Sequence, residues 1–113
     1  MEHKMKLQPK YYNYILNDTK RIEIRLFDEK RQEIKIGDSI KFLKEPELNE
    51  NFNAKVVGLL RYNSFEEMFK DFDISILSNK SMTKDELIAD LEQFYTKEKQ
   101  HKYGVLGIRI ELI

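Results

Sequence analysis

The sequence has no cysteine, only two histidines, no long hydrophobic run and no excess of either charge. Without cysteine there is no disulfide, thiolate metal centre or cysteine nucleophile, and the composition fits a reducing compartment. His3 and His101 are too few to build a zinc site, so no metal and no cofactor is expected. The N-terminus lacks an apolar run of the roughly 7–15 residues that a secretory signal needs. No stretch approaches the ~20 apolar residues of a membrane span. These absences predict a soluble, cytoplasmic protein without a membrane partner.

What is present is a chain of 113 residues, 41% of them hydrophobic. That length suits one domain spanning 1–113, with a single core that needs no staples. The 20 basic and 20 acidic residues cancel, but they are unevenly placed. Residues 1–62 carry 13 Lys/Arg against 10 Asp/Glu, residues 63–95 carry 3 against 8, and residues 96–113 carry 4 against 2. A cationic body with one acidic segment can still hold a polyanion on its basic side, because local potential steers binding. A dedicated duplex-DNA binder would be more basic overall.

Periodicity gives the order of elements. Met5 and Leu7 alternate with lysines. Pro9 then opens a short helix on which Tyr11, Tyr12, Ile15 and Leu16 recur at helical spacing. Arg21 to Phe27 alternates strictly, with Ile22, Ile24 and Leu26 on one face and Arg21, Glu23 and Arg25 on the other, which predicts a half-buried strand. Ile34 and Ile36, the turn signal Gly37-Asp38, and Ser39 to Leu43 predict strand, turn, strand. Lys44 to Asn53 reads as a loop, and Ala54 to Tyr62 as a longer strand that Gly58 bends or bulges. Ser64 with Glu67, and Thr83 with Glu86, are capping boxes. They open helices carrying Phe65, Met68 and Phe69, and Leu87, Ile88, Leu91, Phe94 and Tyr95, within an acidic helical insertion at about 64–95. Val105 to Ile113 closes the chain as a strand. The result is an α+β protein: a small mixed β-barrel of about five or six strands with flanking helices, the first plugging one side.

The segment Asp18-Thr19-Lys20-Arg21-Ile22-Glu23-Ile24-Arg25 carries the most chemistry. Glu23 and Arg25, two residues apart on a strand, stand about 7 Å from each other and can share a ligand. Taken alone, the ordinary reading is a solvated strand face with cross-strand ion pairs. The sharper one is a cleft where Lys20 and Arg25 hold an anion while Glu23 accepts hydrogen bonds from a base edge or an amine. Among the tyrosines, most suit packing with a wet hydroxyl, although aromatic rings near cations also make platforms for unstacked bases.

The pattern D-T-K-R-I-E-I-R resembles the G-x-K-x-x-E-x-R signature of the ASCH family, matching at Lys20, Glu23 and Arg25, with Asp18 in place of the glycine. Asp tolerates the left-handed turn that the glycine would provide, and it brings a negative charge to the mouth. Similarity continues in I-K-I-G-D-S-I-K-F at Ile34 to Phe42, V-V-G-L-L-R-Y-N-S-F-E-E-M-F at Val56 to Phe69, and K-Y-G-V-L-G-I-R-I at Lys102 to Ile110. The resemblance implies a PUA-like barrel and a cleft between helix and barrel lined by Lys20, Glu23 and Arg25, with Tyr103 beside it. It also implies a role in RNA metabolism, with single-stranded RNA or a modified nucleoside as partner. Some small relatives look like acetylcytidine amidohydrolases, which have Thr where this chain has Glu23. The hydroxyl nucleophile of that scheme is therefore missing. Three functions follow: an RNA or nucleoside binding module; a hydrolase of the same fold, an amidohydrolase or ribonuclease, with Glu23 as base and Lys20 as electrostatic stabiliser; or a protein-interaction adaptor using the acidic helices.

Overall fold

Alternating apolar residues dictate which face of each strand turns inward, and five such strands build one sheet. The computed structural model describes residues 1–113. The strands are β1 (Glu2–Leu7), β2 (Ile22–Leu26), β3 (Ser39–Lys44), β4 (Asn51–Tyr62) and β5 (Val105–Leu112), in the spatial order β1-β3-β4-β5-β2. β1 runs parallel to β3, and every other pair is antiparallel. The sheet curls into a half-barrel whose two edge strands, β1 and β2, approach each other without pairing.

Inside the curl, Met5, Leu7, Ile40, Phe42, Ala54, Val56, Leu106, Ile108 and Ile110 pack on Tyr12 and Ile15 of helix α1 (Pro9–Leu16), which plugs the barrel as expected. Outside it, Ile22, Ile24, Leu26 and Val105 pack under helices α2 (Phe65–Lys70), α3 (Ile74–Leu77) and α4 (Lys84–Glu92). The acidic segment is thus a helical cover over the β2–β5 half of the outer face. Its apolar stripes are core. Of the two expected capping boxes, Thr83 and Glu86 cap each other reciprocally, whereas Ser64 accepts from the Glu67 amide at 3.2 Å but the Glu67 carboxylate accepts from the Asn63 amide and not from Ser64.

Gly58 sits at the register shift between β4 and β5, where an added Cβ would meet Arg109 Cδ at 3.1 Å. The bulge anticipated there is present. β4 begins at Asn51, earlier than expected, because backbone pairing of Phe52 with Phe42 recruits the polar Asn51–Asn53 stretch. The strand expected at Ile34–Ile36 does not form. Asp28 accepts the Arg31 amide and opens a single 3-10 turn at Arg31–Glu33, and Asp38 then turns the chain by accepting the Lys35 amide at 3.0 Å. Side-chain acceptors of this kind compete with the sheet ladder for backbone donors. Of two further short helices, α3 lies inside the helical insertion expected at about 64–95, and α5 (Lys97–Tyr103) lies where the sequence pattern gave no expectation.

No helix is long and apolar enough to cross a membrane, and no group of three potential metal-ligating side chains converges.

Candidate ligand-binding cavity

Register decides where the charged side chains of β2 point. Glu23 pairs with Ile108 and Arg25 with Leu106, so both face the inside of the curl, while Ile22, Ile24 and Leu26 face the helices. All five residues of β2 are buried. The strand expected to be half solvated is dry on both faces, and its charges are interior. Lys20, just before the strand, is 3% exposed, Glu23 4% and Arg25 9%.

Burying three charges is tolerable only if they satisfy one another. The Lys20 ammonium donates to the carbonyls of Ile22 at 2.6 Å and Leu77 at 2.7 Å, and lies 3.6 Å from Glu23 Oε1. Arg25 Nε donates to Glu23 Oε2 at 2.8 Å, and its Nη2 donates to the Lys6 carbonyl at 2.9 Å. The guanidinium thereby links edge strand β2 to edge strand β1, closing by a side chain the gap that backbone pairing leaves open. Burial pushes the Glu23 carboxyl up, but Arg25 and then Lys20 outweigh it and hold the group below its ordinary range. Burial lowers the Lys20 ammonium, with Glu23 opposing. Arg25 is raised despite burial, by Glu23 first and Tyr95 after it.

The triad forms the floor of a cavity of about 240 Å³. Its walls come from Leu7 at the end of β1 and Gln8 beyond it, Tyr11 on α1, and Leu91, Gln93, Phe94 and Tyr95 at and beyond the end of α4, with Glu45 and Asp90 at the rim. The expected helix from Thr83 ends at Glu92, and that termination leaves Phe94 exposed and Tyr95 lining the cavity. Across the cavity, the Tyr11 hydroxyl donates to Asp90 Oδ2 at 2.6 Å, and Lys10 donates to the same oxygen at 2.8 Å. This clamp joins α1 to α4. Burial and the Asp90 carboxylate raise the Tyr11 hydroxyl, while hydrogen bonds from Lys10 and Tyr11 lower Asp90.

Three of the four residues singled out in the sequence, Lys20, Glu23 and Arg25, are together in this cavity. Tyr103 is elsewhere: it packs against the outer cluster beneath the helices and does not line the cavity. Tyr103 is the last residue of α5 and lies with Val105 in the outer cluster, whereas Leu106 faces the inside of the curl. Asp18 takes the left-handed conformation expected of it, φ 61°. Its carboxylate stays in solvent paired with Arg21 at 3.1 Å, so the charge expected at the mouth is not there. The residues that sequence reading missed are Asp90, Glu45, Phe94 and Tyr95. Asp90 meets Tyr11 from 79 positions away, and no local pattern signals such a contact.

A family model described as ASCH domain matches residues 5–113. The crystal structure of the hypothetical protein PH0355 is 38% identical, covers 100% of both chains and superposes with a TM-score of 0.86. The solution NMR structure of protein PF0455 from Pyrococcus furiosus is 37% identical, covers 100% of this chain and 98% of that one, and gives a TM-score of 0.79. The S128A mutant of ZmASCH from Zymomonas mobilis, at 9% identity and a TM-score of 0.68 over 97% of this chain and 67% of that one, shares the fold. No curated protein is significantly similar.

Proposed function

The chain belongs to the ASCH domain family, and from that premise we propose that its cavity binds a modified nucleoside or an unstacked base of single-stranded RNA. The observation that carries the reading is a fixed, buried Lys20–Glu23–Arg25 triad opening into an aromatic-rimmed cavity. A base offers a hydrogen-bonding edge and two π faces. The triad, locked by its own hydrogen bonds, presents polar atoms to the edge without reorganising, and Tyr11, Phe94 and Tyr95 offer rings to a face. At about 240 Å³ the space is below the ~300–1,000 Å³ of drug-sized pockets, which suits one base or nucleoside. Glu45 and Asp90 at the rim disfavour a phosphate inside. A cytoplasmic setting suits such ligands and a cysteine-free chain.

Binding is favoured over hydrolysis by the state of Glu23. A carboxylate held below its ordinary range and already bonded to Arg25 is a poor proton acceptor. The apolar residues of α2–α4 pack on the sheet, so the adaptor reading would have to work through the acidic outer faces of these helices alone.

Titration calorimetry with a panel of natural and modified nucleosides tests the proposal. Phe94 is 55% exposed, so Phe94→Ala leaves the core intact. It should weaken binding by the ~1–3 kcal/mol of a stacking contact. Absence of binding by every nucleoside and by single-stranded RNA, or full affinity in the variant, would refute the assignment of the cavity.

A further inference from the structure

The outer face of the sheet has two halves. Helices α2–α4 cover the β2–β5 half, and the face of β1, β3 and the start of β4 is bare. Strand alternation turns Met5, Leu7 and Phe42 inward, so Glu2, Lys4, Lys6 and Lys41 stand on this bare face with Asn51 and Asn53 beside them. None of the three lysines forms an ion pair. Lys4 and Lys41 are register partners, an arrangement of like charges that costs stability unless an anion lies between them.

We propose that this strip is a docking track for the phosphodiester backbone of single-stranded RNA. The inference rests on the base-binding reading in one respect: Lys6 both ends the strip and lines the cavity, so a strand whose base enters there has its backbone directed onto the lysines. Lys4 and Lys6 are ~7 Å apart along β1, and the lysines of β1 and β3 lie on strands ~4.8 Å apart, distances over which successive phosphates of an extended strand can be met. The buried cations of the cavity cannot do this work, since Lys20 and Arg25 already hold carbonyls and Glu23. The acidic cover on the other half of the face confines a polyanion to the bare half. The bare half also carries amide side chains able to donate to phosphate or ribose oxygens.

The experiment compares a short oligouridylate, followed by fluorescence anisotropy across a salt series, with uridine and cytidine followed by calorimetry. The variant is the double change Lys4→Gln, Lys41→Gln, with circular dichroism to verify folding. Neither residue lines the cavity. The oligonucleotide should bind with an affinity that falls with salt. The double variant should lower the log–log slope by roughly 1.4, or about 0.7 for each phosphate that no longer meets a lysine. Nucleoside binding should be unchanged. An unchanged slope in the folded variant, or no oligouridylate binding at low salt, overturns the track. Lysine-dependent oligonucleotide binding without any nucleoside binding, and without weakening in Phe94→Ala, supports the track and overturns the cavity reading instead.

Discussion

Glu23 is the residue on which the buried cluster depends, because it is the only anion facing two interior cations. Glu23→Gln keeps the shape and removes the charge, leaving Lys20 and Arg25 without their counterion. Breaking a buried pair in this way costs about 3–5 kcal/mol. The pH dependence has a definite sign. A carboxyl whose folded pKa lies below its unfolded value of ~4.3 contributes stability that is complete above that value. The contribution is lost as pH falls through the lower folded pKa. Urea unfolding should therefore show the variant much weaker at neutral pH, with the gap to the natural chain narrowing below pH ~4.3. Equal stabilities at neutral pH, or parallel acid limbs, would mean that Glu23 is not the ionised centre of the cluster. At this scale the sequence was informative about identity and silent about environment. The spacing of Lys20, Glu23 and Arg25 showed that they could share a ligand. Alternation, however, distinguishes two faces of a strand without saying that both are dry.

Between elements, the contact that shapes the cavity is the hydrogen bond from Tyr11 on α1 to Asp90 on α4. Tyr11→Phe removes the donor, and Asp90 keeps its partner Lys10. The expected loss of stability is therefore modest, about 1 kcal/mol. The mechanical effect should be larger, since of the side-chain clamp between α1 and α4 only the partly exposed Lys10–Asp90 pair remains. Amide exchange should quicken in the last turn of α4 and stay unchanged in β4 and β5; uniform exchange across the chain would show that the clamp does not position α4. The elements joined here were legible to different degrees. Thr83 and Glu86 announced the start of α4 because a capping box is a local device. Its end was hidden, because the apolar spacing runs on through Phe94 and Tyr95 while the helix stops at Glu92. α5 was invisible for a related reason: of its seven residues, only Gln100 is buried, so it carries no apolar stripe to read. Gln100 holds its place through polar contacts, accepting from the Phe65 amide and donating to Glu92 and the Tyr95 carbonyl. Tyr103 was grouped with the cavity residues on resemblance alone, and it lies with Val105 in the outer cluster.

For the whole molecule, the decisive property is that the curled sheet has two unpaired edges and a cavity at the seam between them. Open edges are a hazard, and proteins cover them or close the barrel. Here α1 fills the interior and a single side chain crosses the seam, Arg25 donating at once to Glu23 on its own strand and to the Lys6 carbonyl on β1. Periodicity could show β2 to β5 and the helices α1, α2 and α4, while it also suggested a strand at Ile34–Ile36 that does not form and gave no sign of α5. Closure could not be read, because it depends on which strands end as neighbours in space. Arg25→Lys separates charge from geometry. The cation and its attraction to Glu23 persist, but one ammonium on a shorter reach cannot reproduce a planar fork aimed at two acceptors. If the fork holds the seam, the variant should remain folded, with β1 and β2 amides exchanging faster than in the natural chain. β4 and β5, paired on both sides, should keep their protection. Ligand affinity should fall with the loss of a fixed cavity floor. Unchanged protection of both edge strands in Arg25→Lys would show that α1 packing alone holds the half-barrel together.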